Sequence, residues 1–315
     1  MDAYLNTFSS ISSLVLLISF VSFLRYLKVL KQEDGLLFSK IVTQITLPAV
    51  VLSVLSHSKV LEWEYFFVIV VMFFIEIFVL FITFHIGKKL DINKTQIGTL
   101  MLVSAFGSSA LLGYVVIEQV FPSSYQALSE AVLISELGVG VGLFTVGTIV
   151  AIHFGDSSLK QSPLESIRIF LFSPIFLSIV VALAYSFLNI SPQTVVIKEI
   201  FDTINLIAKA NTFFVALTVG VLLQFQGIRS ILPLVAIAII LKLLFSPFLI
   251  WLASLGMNFT PVELEVIVLE FAMPSAMLSV VLAAKYGCDA ILASKLVFIT
   301  TLFSIITIPL IIGIL

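Results

Sequence analysis

Five ionisable side chains lie inside long apolar runs of this 315-residue chain: Glu76, Glu136, Lys209, Lys242 and Glu270. A charge at the centre of a membrane-crossing helix costs at least about 2.5 kcal/mol, so each is expected to face a bundle interior or a partner. Glu270 precedes Pro274 by one turn. The proline has no N–H and crowds the turn before it, which frees the carbonyl near Glu270. Glu270 is therefore suited to bind a proton or Na+, or else to neutralise Lys242. Lys242 in turn either attracts an anionic substrate or completes that pair. Glu136 follows Ser135 and precedes Gly138, Gly140 and Gly142, small residues that let helices approach closely. Glu76, in a Phe-rich run, is a candidate for pairing across helices.

A second set is small and polar. Ser104 to Gly113 reads Ser-Ala-Phe-Gly-Ser-Ser-Ala-Leu-Leu-Gly, with three serines and two glycines that weaken a helix and supply hydroxyls. Read alone, this is equally a close-packing face between helices. Met273-Pro274-Ser275 interrupts a later apolar run, and breaks at corresponding places in two halves of a transporter mark a substrate site. The candidates for substrate contact are Gly107, Ser108, Ser109, Gly113, Met273, Pro274, Ser275 and the amide Asn211, on an apolar span. Other chemistry is missing. His57, His85 and His153 have no neighbours at metal-ligand spacing, and Cys288 is the single cysteine. No phosphate-loop, G-x-S-x-G or H-E-x-x-H pattern occurs, so neither ATP-driven work nor enzymatic catalysis is expected. No cofactor or metal is expected; a coupling ion would be H+ or Na+.

The elements that must position these residues are membrane helices. Hydrophobic residues are 60% of the chain and charged residues 11%, less than half of the roughly one quarter that covers a soluble domain. Net charge is −2 and no basic stripe exists, so nucleic acid is not an expected partner. A hydrocarbon core of about 30 Å takes about 20 helical residues. On that ruler the chain divides into about ten spans, near 8–30, 37–57, 65–87, 97–120, 127–152, 166–189, 199–225, 231–255, 263–284 and 290–315. Odd connections and their flanks hold twelve Lys and Arg residues, and even connections only Lys59 and Lys198. Positive residues stay in the cytoplasm, which puts both termini outside. The expectation is an all-α, multi-pass protein of the cell (plasma or inner) membrane. Two five-helix sets, 1–155 and 160–315, would be inserted upside down relative to each other as a 5+5 inverted repeat, with broken fourth and ninth spans.

The C-terminal residues also carry a resemblance. Ala272-Met-Pro-Ser-Ala-Met, then Ala284-Lys-Tyr-Gly-Cys-Asp289, then Thr301, Ser304 and Pro309 resemble the auxin efflux carrier family, in its bacterial permease branch. Leu47-Pro48, Phe106-Gly107, Gly113, Lys242 and Pro247 are similar to family positions upstream. Where the family has asparagine after the first glycine this chain has Ser108, and where it has proline after the second glycine this chain has Val115. The fourth-span break is then expected to rest on Gly107 and Gly113.

The resemblance implies a scaffold of spans 1, 2, 6 and 7 and a moving unit of spans 3–5 and 8–10, with spans 4 and 9 crossing at the substrate. It implies a secondary transporter of a small organic anion such as a carboxylate, working by alternating access. Expected partners are membrane lipid, that substrate and a second copy of the chain. The alternatives are a Na+-coupled symporter or cation/proton antiporter on the same crossed-helix plan, and a non-transporting membrane ligand sensor.

Overall fold

The computed structural model describes residues 13, 16–31, 33–56, 63–122, 124–156, 163–188, 195–222 and 231–315. Every regular element among them is a helix, the arrangement that satisfies each backbone N–H and C=O inside lipid. In chain order these are α1 (Leu16–Tyr26), α2 (Asp34–Ile41 and Leu47–Leu55, joined through Val42–Thr46), α3 (Trp63–Lys89), α4 (Lys94–Ala105), α5 (Ser109–Val120), α6 (Tyr125–Phe154) and α7 (Pro163–Leu171). There follow α8 (Pro174–Phe187), α9 (Val195–Lys209), α10 (Asn211–Leu222), α11 (Leu232–Ser254), α12 (Pro261–Ala272), α13 (Met277–Tyr286) and α14 (Ala290–Ile314). Six stretches are long and apolar enough to cross a membrane: Leu37–Leu55, Phe66–Lys89, Tyr125–Phe154, Ile197–Val221, Leu232–Ser254 and Ala290–Ile314.

α3 shows how sequence dictates such a helix. Phe74, Phe78 and Phe81 are exposed while Met72, Val79 and Glu76 are buried, so both faces are apolar through the middle of the helix, where the charge, Glu76, is on the buried face; Lys88 and Lys89 are exposed at its end. A helix apolar all round belongs in a membrane or a deep core. Starts are set by side-chain caps: Asn93 for α4, Ser124 for α6, Ser173 for α8 and Asp289 for α14. Thr260 and Glu263 form a capping box ahead of α12, with Pro261 in the first turn. Wide i→i+5 turns at Val42–Thr46 and Ile240–Phe245 run up to Pro48 and Pro247, whose rings displace the preceding carbonyls. Ser246 donates twice to Leu241 O, through its backbone N–H and through Oγ at 2.8 Å.

Three expectations need correction. Residues 166–189 are not one helix: α7 ends at Leu171 and α8 starts at Pro174, with Ser173 capping Phe176 N. Ser-Pro is a helix-start signal that hydropathy overrode. Gly113 is not part of the fourth-span break, because it has ordinary helical angles inside α5 and the chain opens only at 106–108. Lys209 is not a buried charge; it is exposed in the last turn of α9. Lys59, Lys160, Arg229, His57, the breaks at Ser191-Pro192 and Gly227-Ile228-Arg229, and the start of the first span lie outside the described residues.

Packing sorts the helices into two groups. α2 lies against α8, α9 and α10. α3 to α6 pack among themselves and with α11 to α14, and α6 also meets α2 and α7. Candidate site residues other than Asn211 belong to the second group.

Candidate functional site

α4 and α12 both stop short, and the chain crosses itself where they stop. Phe106 leaves α4 in extended conformation (φ −100°, ψ 132°) and Met273 leaves α12 likewise (φ −60°, ψ 143°). The two extended pieces pair antiparallel through Gly107 and Ser275. Ser108 N donates to Pro274 O at 2.6 Å and Ala276 N donates to Phe106 O at 2.9 Å. Gly107 sits in close approach: a Cβ there would stand 3.0 Å from Lys242 Cε and Nζ and would push the lysine end aside. Pro274 suits the other strand because its missing N–H is not asked for.

The antiparallel crossing makes two corners, each joining the C-terminus of one broken helix to the N-terminus of the other. The first corner joins α4 to α13. There Ser275 Oγ donates to Val103 O at 2.6 Å and Ser279 Oγ to Leu102 O at 3.2 Å. Ser275 N donates to Thr300 Oγ1 of α14. Ser275 thus covers Val103 O, for which no backbone partner remains at the helix end, and Ser279 adds a second donor to Leu102 O, which also accepts from Phe106 N.

The second corner joins α12 to α5 and is built differently. Lys242 from α11 covers α12, its Nζ donating to Phe271 O at 2.7 Å, a cation at the negative end of a helix dipole. The serines of α5 do not reach α12. Ser109 Oγ instead accepts from Ser135 Oγ of α6 at 2.8 Å. Ser108 Oγ, at the start of α5 and buried, has no hydrogen-bond partner among the described residues. Ser104 Oγ, on the last turn of α4, is likewise unpartnered.

The buried charges gather around this second corner. Glu270 of α12 is 0% exposed and lies against Gly113 of α5, where a Cβ would stand 2.6 Å from its Oε1; neither carboxyl oxygen has a partner among the described residues. Glu136 of α6 accepts from Tyr114 Oη at 2.8 Å. Glu76 of α3 is seated where Gly142 leaves room, and its Oε2 is unpartnered. Gly142 and Gly147 also seat the Phe106 ring, while Gly138 receives Met72. The glycines of α6 therefore admit a carboxylate and a crossing residue as well as letting helices pack.

The sequence-selected residues divide accordingly. Gly107, Ser108, Ser109, Gly113, Met273, Pro274, Ser275, Lys242, Glu270 and Glu136 come together at the crossing, with Glu76 on its α3 side. Glu270 and Lys242 make no direct ion pair; Lys242 is held by a carbonyl instead. Asn211 lies elsewhere, accepting from Thr46 Oγ1 of α2 at 2.8 Å. Next to it Thr212 donates to Glu118 of α5, one of the contacts between the two packing groups. Tyr114 was not singled out by sequence; an aromatic hydroxyl one residue after Gly113 was the available sign for it. Thr300, which the sequence marks as a polar residue able to hydrogen-bond within the bundle, does so at this corner.

Cys288, between α13 and α14, donates to Ala151 O at 3.4 Å. Burial pushes its thiol up to about 11, the Asp289 charge adds to this, and Lys94 opposes it.

Residues 11–312 match the family described as membrane transport protein. The chain is 28% identical over 289 residues to an uncharacterized transporter of Methanocaldococcus jannaschii, covering 89% of this chain and 90% of that protein. It is 33% identical over 96 residues to an uncharacterized transporter of Methanothermobacter thermautotrophicus, covering 30% and 32%.

Proposed function

Because this chain belongs to the membrane transport protein family, the auxin efflux carrier family, we propose that it is a secondary active transporter of a small organic anion. It is a multi-pass membrane protein, and its elements read as ten spans in two inverted sets of five, in the cell membrane with both termini outside. The group α2, α8, α9 and α10, with α1, is the scaffold; α3 to α6 and α11 to α14 move against it to give alternating access.

The observation that carries this reading is the second corner of the crossing. Ser108 Oγ is buried and unspent at the start of α5, where first-turn N–H groups have no intrahelical acceptor. A half-helix N-terminus with a free hydroxyl suits a carboxylate, through the aligned dipole and a charge-assisted hydrogen bond. Lys242, close behind Gly107, adds positive potential. Pro274 and Ser275 act as the opposite wall, since their carbonyl and hydroxyl are already engaged.

Purified protein in liposomes, offered radiolabelled mono- and dicarboxylates, tests the reading. Saturable uptake of one carboxylate, with apparent affinity falling roughly tenfold (about 1.4 kcal/mol) in Ser108→Ala, is expected. Carboxylate binding without flux under any gradient would make the protein a ligand sensor and end the transporter reading.

A further inference from the structure

We infer that the sixth span is shared between the two packing groups: α7 travels with the moving group, α8 stays with the scaffold, and the chain bends between them at Phe172-Ser173. The inference rests on the transporter reading above. It departs from the resemblance, which gives the whole of that span to the scaffold.

The joint is built from local chemistry. Pro174 has no N–H to donate, and its ring crowds the carbonyl of Phe170 four residues back. Ser173 takes extended angles (φ −67°, ψ 146°). Its N–H donates to Phe170 O at 2.9 Å and closes α7. Its Oγ accepts from Phe176 N at 3.2 Å and its carbonyl from Leu177 N at 2.9 Å, which opens α8. The ladder of one helix ends on this residue and that of the other begins on it. α7 has nine residues and α8 fourteen, so neither crosses by itself a hydrocarbon core that takes about 20.

The two halves have different neighbours. α7 packs on residues 143–154 of α6, and α8 packs on α2. Phe170 is the anchor of α7, 5% exposed between the exposed Ile169 and Leu171. A Cβ on Gly140 would stand 3.3 Å from its Cε2, and its ring stacks on Phe144 with centroids 4.9 Å apart and planes at 22°. Gly140 lies at the middle of α6 (Tyr125–Phe154), and Glu136 Oε2 is 3.5 Å from the same Cβ position. α7 is therefore seated on the stretch of α6 that carries a residue of the crossing. Across the joint, Phe176 of α8 meets the Phe170 ring at 5.1 Å and a tilt of 55°. A stacked ring in a glycine notch holds its helix in place, whereas a tilted contact can re-pack as the angle between helices changes. When the moving group shifts against the scaffold, an unbroken sixth helix would be pulled from one of them. A bend at element-terminal residues lets each half keep its packing.

The test uses the full-length protein in a Cys288→Ala background. Phe144→Cys with Phe170→Cys, bridged by mercuric ion, ties α7 to α6 and should leave liposome uptake of the radiolabelled mono- and dicarboxylates at the unbridged rate. Loss of uptake on bridging would place α7 with the scaffold and overturn the inference. Should the exchange of two packed phenylalanines prevent folding, nitroxides at the exposed Ile149 of α6, Ile169 of α7 and Phe187 of α8 decide instead. In nanodiscs without substrate the 149–169 distance should be single and narrow. The 169–187 distance should be broad, and should narrow in Ser173→Ala/Pro174→Ala, which lets the helix run on. A narrow 169–187 distance in the unmodified joint, or a broad 149–169 distance, would overturn the inference. The same double substitution should lower the maximal uptake rate and leave the half-saturating concentration unchanged; an unaltered maximal rate counts against the joint. Uptake blocked by bridging would leave the transporter reading standing. The expected distances without uptake of any carboxylate would end that reading and keep the joint.

Discussion

The two corners of the helix crossing have the same topology and opposite finish. At the α4–α13 corner, Ser275 and Ser279 bind the carbonyls of Val103 and Leu102, so helix start and helix end satisfy each other. At the α12–α5 corner the matching serines turn away. Ser109 Oγ is tied to Ser135 and Ser108 Oγ has no partner among the described residues, while a lysine from a third helix covers α12. Apart from the Ser104 hydroxyl, the unpartnered polar atoms of the crossing collect at that second corner. A corner whose serines are already bonded has no hydroxyl to spare. One left with a free hydroxyl and a free carboxyl has capacity for something that comes and goes.

The comparison breaks most violently at Lys242. Lys242→Met removes the cation over Phe271 O and strands Glu76, and should destabilise the protein by about 3–5 kcal/mol. Chemical denaturation in detergent should show most of that loss recovered in Lys242→Met/Glu76→Gln. Ser275→Ala is next. It leaves Val103 O buried without a donor and should cost about 1–3 kcal/mol, read as a lowered melting temperature. The partner substitution Ser108→Ala removes a hydroxyl with no bond to lose, so stability should change by less than about 0.5 kcal/mol while anion uptake weakens. Ser108→Asn, which adds a second donor, should tighten it. Equal stability losses from Ser275→Ala and Ser108→Ala would erase the distinction between the corners.

A separate readout, in labelling rate and not in stability, lies just beyond the end of α13. With its thiol pushed up to about 11, Cys288 is roughly one-thousandth thiolate at pH 8, so maleimide labelling should run roughly a hundredfold slower than for an ordinary thiol and quicken as pH rises. If the α4–α13 side stays closed throughout transport, a translocated carboxylate leaves that rate unchanged.

Much of the architecture was legible because lipid imposes a simple rule. Apolar runs of about twenty residues with polar punctuation announce helices, and α3, α6, α11 and α14 fall where hydropathy puts them. The breaks at Gly107 and Pro274 were legible for a local reason: one residue tolerates close approach and the other cannot donate. The Phe172-Ser173 break was written in the sequence as Ser-Pro and overlooked beneath an unbroken apolar run. Gly113 shows where local reading stops. As a type it is a helix breaker, but in α5 it is the space that Glu270 fills.

By itself the sequence determined that this protein is helical, lives in lipid, interrupts two of its helices and hides a handful of charges, because composition and backbone chemistry act locally. Tertiary structure alone decided who meets whom. It set Lys242 on a carbonyl instead of on Glu270, gave Glu136 to Tyr114, engaged Ser275 and left Ser108 free. Those outcomes depend on which helix ends are brought face to face across more than 160 residues of chain, as at Gly107 and Ser275, and no local pattern encodes that distance.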